Sequence, residues 1–146
     1  MVAYKNGGNI EARTHMMSAA AMGATAFQKG RGPALSHPIG AVYGTQHGMT
    51  NAIALPAVVK FNRPAIEARV ELLAAYLGIE GGFDGFYAWL IDFSRALGVP
   101  EKMSTLGVDR DQIDLLAKMA VEDPSAGGNP IPLNTEITKK LYEEIL

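Results

Sequence analysis

The stretch Leu35-Ser36-His37-Pro38-Ile39-Gly40-Ala41-Val42-Tyr43-Gly44-Thr45-Gln46-His47-Gly48 holds two of the chain's three histidines within its densest run of helix breakers. Across residues 30–48, Gly30, Gly32, Pro33, Pro38, Gly40, Gly44 and Gly48 punctuate the chain. Only short helical turns joined by tight bends fit such a segment. His37 and His47 lie ten positions apart and cannot share one regular helix face, yet sharp bends can bring both imidazoles to one pocket. Between Gly30 and Phe61 there is no Asp or Glu, so a divalent ion held here would borrow its other ligands from distant parts of the chain. On residue types alone, the plainer reading is a pair of histidines hydrogen-bonded at a packed bend.

Outward from this segment, apolar residues recur at helical spacing and no run of β-branched residues makes a convincing strand, so the fold class is all-α. Upstream, Asn9 is a good N-cap for a helix through Ile10, Met16, Met17, Ala20, Ala24 and Phe27 that stops at Gly30. The small residues Ser18-Ala19-Ala20-Ala21-Met22-Gly23-Ala24 in its middle let another helix pack closely, and His15 falls on a solvated position of the same helix. Downstream, a helix resumes near Met49 and carries Ile53, Leu55, Val58 and Val59, with Pro56 expected to kink or interrupt it. Asn62-Arg63-Pro64 is expected to end that element, with Pro64 opening a new helix over residues 65–77.

Gly81-Gly82 introduces a further helix over residues 83–97, and Asp109 or Asp111 is placed to cap one reaching Val121. A loop over residues 123–132 follows, and Asn134 or Thr135 caps the last helix. Asn51 is expected to hydrogen-bond backbone near its helix start. The cluster Phe83, Phe86, Tyr87, Trp89, Leu90 and Phe93 reads as core and interface filler. A bundle of about six to seven helices in a single domain over residues 1–146 is the predicted architecture.

Composition closes off several classes of function. With 13 basic against 15 acidic residues there is no electrostatic footprint for nucleic acid or an anionic membrane, and neither is an expected partner. The absence of cysteine removes disulfides, thiolate metal sites and a cysteine nucleophile. The N-terminus lacks the basic-then-apolar pattern of a signal peptide, and the apolar stretch over residues 52–59 is too short to cross a bilayer. These features predict a soluble, cytoplasmic protein.

Gly23-Ala24-Thr25-Ala26-Phe27, then Gln28-Lys29-Gly30, then Ser36-His37-Pro38-Ile39-Gly40-Ala41 and His47-Gly48-Met49-Thr50-Asn51-Ala52-Ile53, resemble in order and spacing the signature of the iron-dependent (group III) alcohol dehydrogenases. Ile10-Glu11-Ala12-Arg13 and Asn129-Pro130 extend the similarity over nearly the whole chain. The resemblance implies the helical C-terminal domain shared by the dehydroquinate synthase-like and iron alcohol dehydrogenases. In that family one Asp and three His hold Fe²⁺ or Zn²⁺, and an N-terminal α/β domain binds NAD(P). The metal polarises the alcohol oxygen while the nicotinamide accepts hydride. By resemblance, His47 stands at the last metal-ligating histidine, and His37 at a non-ligand histidine of the substrate pocket linked to proton movement.

Departures from the pattern shape the functional expectation. Pro33 occupies the place where the family carries a further histidine, and proline has no donor for a metal. No dinucleotide-binding glycine turn follows a strand, since Gly81-Gly82 precedes a helix and Gly127-Gly128 lies among prolines. The chain is therefore expected to lack a nucleotide-binding domain, to be inactive alone, and to hold no Fe²⁺, Zn²⁺ or NAD(P) unless a separate nucleotide-binding chain completes the site. Apolar surface left by missing parts predicts a homo-oligomer, most simply a two-fold dimer with helices swapped or packed around the first helix and residues 30–48. The competing expectation is a catalytically silent helical binding or oligomerisation module, or the relic of a truncated gene.

Overall fold

Apolar spacing of helical period becomes seven α-helices, two 3₁₀ turns and no strand among the described residues. The computed structural model describes the backbone of residues 1–30 and 34–146, with side chains for residues 1–23 and 34–146. Pro33 and its neighbours Arg31 and Gly32 lie outside the described residues. A four-residue helix, α1 (Val2–Lys5), precedes the long α2 (Ile10–Gly30). The expected cap holds, because Asn9 Oδ1 accepts the N–H of Ala12 at 2.9 Å.

The breaker-rich segment forms α3 (Ser36–Tyr43), two full turns rather than the short turns and bends expected from its glycines and prolines. Pro38 sits in the first turn, where a missing N–H costs no hydrogen bond, and Leu35 and Ile39 are buried one turn apart. Burial of that stripe decides the local conformation against the propensity of Gly40. Gly44 ends the helix at φ 65°, a left-handed conformation, with its N–H returned to the carbonyl of Gly40 at 3.0 Å.

The largest correction concerns α4 (His47–Tyr76), one continuous helix of 30 residues with both Pro56 and Pro64 inside it. Neither proline ends it. Each removes one intrahelical hydrogen bond, a penalty of about 3 kcal/mol, but the helix is clamped on both sides by packing. Ile53, Ala54 and Ala57 bury into the core, and Arg63, just before Pro64, forms a double contact with Asp84 at 2.7 and 3.1 Å while lying 4.4 Å over the Phe83 ring. Asn62 is buried and donates to Asn129 Oδ1 at 2.8 Å, while its own Oδ1 accepts from Asn129 Nδ2 at 2.9 Å. That reciprocal amide pair fastens the middle of α4 to the late loop.

Helix α5 (Gly82–Ala96) runs beside α4 and is entered through Gly81 and Gly82, at φ 88° and 58°. At Gly85 a Cβ would lie 1.8 Å from the carbonyl oxygen of Glu80, so no larger residue fits that close approach. Of the aromatic cluster on this helix, Phe83 is buried, Phe86, Tyr87 and Phe93 are half-buried, and Trp89 is exposed. A 3₁₀ turn (Met103–Leu106) leads to α6 (Ile113–Glu122), which neither Asp109 nor Asp111 caps. Asp109 Oδ1 instead accepts the Asp111 N–H at 3.0 Å and the Tyr43 hydroxyl at 2.9 Å. A second 3₁₀ turn (Ala126–Gly128) crosses the late loop, and α7 (Thr135–Ile145) starts at Asn134, whose side chain accepts the N–H of Ile137 at 2.9 Å.

The core joins α3, α4, α6 and α7 through Leu35, Ile39, Ile53, Ala57, Leu116, Ala120, Leu141 and Tyr142. Tyr142 hydroxyl donates to the carbonyl of Leu35 at 2.9 Å, tying α7 to the entry of α3. Burial pushes that phenol far above its ordinary pKa, and the charge of Asp123 adds to the effect. No helix among the described residues is long and apolar enough to cross a membrane.

Candidate functional site

Residues 44–46 turn the chain between α3 and α4, and this turn sets the positions of both histidines. Gln46 caps α4 by accepting the N–H of Met49 at 2.6 Å. The buried Thr50 hydroxyl lies 2.9 Å from Thr45 Oγ1 and 3.1 Å from the carbonyl of Gln46. The bend is thus held by side chains of the turn itself and of the first turn of α4. His37 falls in the first turn of α3 and His47 opens α4, and their rings meet with centroids 5.3 Å apart and planes inclined by 18°. The two imidazoles do meet, across the single turn of residues 44–46 rather than several sharp bends.

Each imidazole is oriented by a partner. His47 Nε2 accepts from the amide of Asn51, one turn along α4, at 2.9 Å. Asn51 therefore serves a side chain rather than the backbone expected of it, because the first turn of α4 already has Gln46 as its cap. Its Oδ1 is buried without a hydrogen-bond partner. His37 Nδ1 lies 2.8 Å from Asp123 Oδ2, a carboxylate 86 positions away at the end of α6.

Asp123 was not legible as a site residue. It stands in the Pro-Gly-rich loop after α6, with only Asp123-Pro124-Ser125 to mark a turn. Its Oδ1 accepts the backbone N–H of Ser125 at 2.7 Å and also the Ser125 hydroxyl. Burial raises the Asp123 pKa, but the two hydrogen bonds from Ser125 and the one from His37 outweigh it and hold the carboxyl below its ordinary value. The third histidine stands apart: His15 is exposed on α2, and the nearest charge is Glu11 at 3.9 Å.

The donor set decides what the cluster can hold. Among the described residues no three His, Asp or Glu side chains converge as metal ligands. His47 Nε2 is engaged by Asn51, His37 Nδ1 by Asp123, and both Asp123 oxygens by hydrogen-bond donors. Two imidazoles without a third protein ligand do not make a complete catalytic site for Fe²⁺ or Zn²⁺. A cleft of about 230 Å³ between α4 and α5, lined among others by Ile53, Pro56, Tyr87, Ile91 and Lys102, does not include the histidines.

Comparison with known proteins agrees over the full length. Residues 1–146 match the sequence model of the Fe-containing alcohol dehydrogenase family, C-terminal. The chain is 33% identical to a 4-hydroxybutyrate dehydrogenase of Cupriavidus necator, across 97% of this chain and 40% of that protein. Among solved structures, a 1,3-propanediol oxidoreductase superposes with a TM-score of 0.89 at 26% identity, over 99% of this chain and 40% of that one. An alcohol dehydrogenase from Oenococcus oeni gives a TM-score of 0.87 at 27% identity, with the same coverage of 99% and 40%. The chain thus spans about 40% of the length of the relatives it matches.

Proposed function

The chain belongs to the Fe-containing alcohol dehydrogenase family, as its C-terminal helical domain, and from that premise we propose that it supplies the helical half of an NAD(P)-linked site interconverting alcohols and aldehydes. In this reading His47 gives up the Asn51 amide at Nε2 to offer that nitrogen to a divalent iron or zinc ion, and His37 is the pocket histidine that accepts or returns the alcohol proton. The supporting observation is the meeting of the two imidazoles, 5.3 Å apart, at a bend built by Gly44, Gln46 and Thr50. The remaining metal ligands and the dinucleotide site come from another polypeptide segment, and residues 1–146 alone are inactive. Among the described residues, the donors of this chain do not complete the coordination of that ion.

The test is to purify the protein without chelator, measure iron and zinc per chain, and follow NAD⁺ and NADP⁺ reduction with simple alcohols. Residues 1–146 alone are expected to carry far less than one ion per chain and to reduce neither cofactor. Adding a nucleotide-binding half that bears the missing ligands should raise both. A full ion per lone chain together with cofactor reduction would overturn the half-site reading.

The missing third ligand among the described residues also supports a second reading, a catalytically silent helical module. Metal and activity that stay absent even with a nucleotide-binding half would favour it. We further propose a cytoplasmic homo-oligomer, most simply a dimer through α2, whose Ile10, Met16, Met17 and Met22 are exposed.

A further inference from the structure

We propose that Asp123 is a positioning residue that locks His37 in the tautomer protonated at Nδ1, leaving Nε2 as the nitrogen with a free lone pair. An ionised carboxylate can only accept hydrogen bonds, so the 2.8 Å contact between Asp123 Oδ2 and His37 Nδ1 requires the ring nitrogen to donate. The other carboxylate oxygen is occupied by the Ser125 N–H and hydroxyl, so the group cannot swing away from the ring without losing two further hydrogen bonds. The Asp123 side chain is only 15% exposed, against 41% for His37, so the anchor is the sheltered member of the pair and the imidazole the accessible one.

The polarity of the chain Ser125 to Asp123 to His37 argues against nucleophilic catalysis by Ser125. Its hydroxyl donates to the carboxylate and not to the imidazole, so the serine lacks the imidazole base of a nucleophilic site. What the arrangement does accomplish is to choose between the two ring nitrogens. A histidine's reactive nitrogen is set by the hydrogen bond that the other nitrogen makes, and here a residue 86 positions away makes that choice. The neighbouring histidine is set by a different device: His47 presents Nε2 to the Asn51 amide and is therefore protonated at Nδ1 through an accepting rather than a donating contact.

This inference rests on the proposed function only for its consequence, that Nε2 of His37 is the proton acceptor in the site. The lock itself is tested on the chain as it stands, without metal, cofactor or turnover, so its failure is separate from failure of the alcohol dehydrogenase reading. Imidazole nitrogen NMR, with the pH raised until the ring-nitrogen shifts stop changing, reports the neutral tautomer of each ring. His15 is the internal reference for an imidazole in solvent.

In the unaltered protein, His37 should show protonated Nδ1 and bare Nε2, unlike His15. Asp123→Ala should shift His37 to the tautomer mixture shown by His15. Asp123→Asn should shift His37 toward the Nε2–H form, because the single side-chain carbonyl is held by the Ser125 N–H and the amide NH₂ is left to donate to Nδ1. The unaltered spectrum alone suffices if Asp123→Ala does not fold. A His37 signal matching His15 in the unaltered protein, or an unchanged His37 tautomer in folded Asp123→Ala, would overturn the proposal.

Discussion

Helix α2 and the body formed by α3, α4, α6 and α7 use similar apolar residues and put them to opposite ends. In the body, Leu116, Ile39 and Tyr142 are at most 1% exposed, while on α2 Met17 is 71% exposed and Ile10 73%. Among the described residues, α2 makes its main contacts with the four-residue α1. Its helical state follows from local terms, namely the Asn9 cap and a run of alanines and methionines with high helix propensity. The body draws its stability from burial, strongly enough to carry two prolines inside α4. The difference teaches that one part of the molecule is maintained by tertiary packing and the other by propensity and whatever covers it.

Leu116→Ala is the strongest way to break that contrast. It should cost about 2–5 kcal/mol in urea unfolding, because the site is fully buried among packed neighbours. A loss below about 1 kcal/mol would mean that the body is as loosely held as α2.

Next in size is an acid effect from the edge of the body. The folded-state pKa of Asp123 lies below its unfolded value, so its contribution is fully present above the ordinary carboxylate pKa and is lost as pH falls through the lower, folded value. Stability curves of the unaltered protein and Asp123→Asn should therefore converge toward the acid limb. Parallel curves from pH 7 down to the acid limb would detach Asp123 from the packed body.

The smallest effect on stability is expected on α2. Met17→Glu should change unfolding by no more than about 0.5 kcal/mol, since the side chain is already exposed. If α2 is the dimer contact, the same substitution should shift the sedimentation of a micromolar sample from dimer to monomer. Sedimentation as a monomer before any substitution would remove the homo-oligomer proposal.

Much of this fold was readable residue by residue. Asn9 announced the cap it forms, Asn134 was one of two candidates for the last cap, Gly81-Gly82 announced the entry to α5, and the spacing of the two histidines allowed them to meet. The misreadings share one cause. Pro56, Pro64 and the glycines around His37 were weighed by local cost, whereas Asn62, Arg63 and the Leu35–Ile39 stripe reach partners that a local reading does not see. Asp109, a candidate cap of α6 together with Asp111, instead serves Tyr43 and its own turn, because a short carboxylate satisfies whichever donors the fold brings near.

Helical periodicity, breaker positions and motif order belong to neighbours along the chain, so the all-α class, the family and the pair His37 and His47 were determined by the order of amino acids alone. The carboxylate on His37, the amide pair across α4 and the continuity of that helix were decided only on folding. Such contacts join residues far apart in the chain, 86 positions for His37 and Asp123, 67 for Asn62 and Asn129, and 107 for Leu35 and Tyr142. Their energy comes from burial and from satisfying polar groups removed from water, terms that come into being only when distant segments pack.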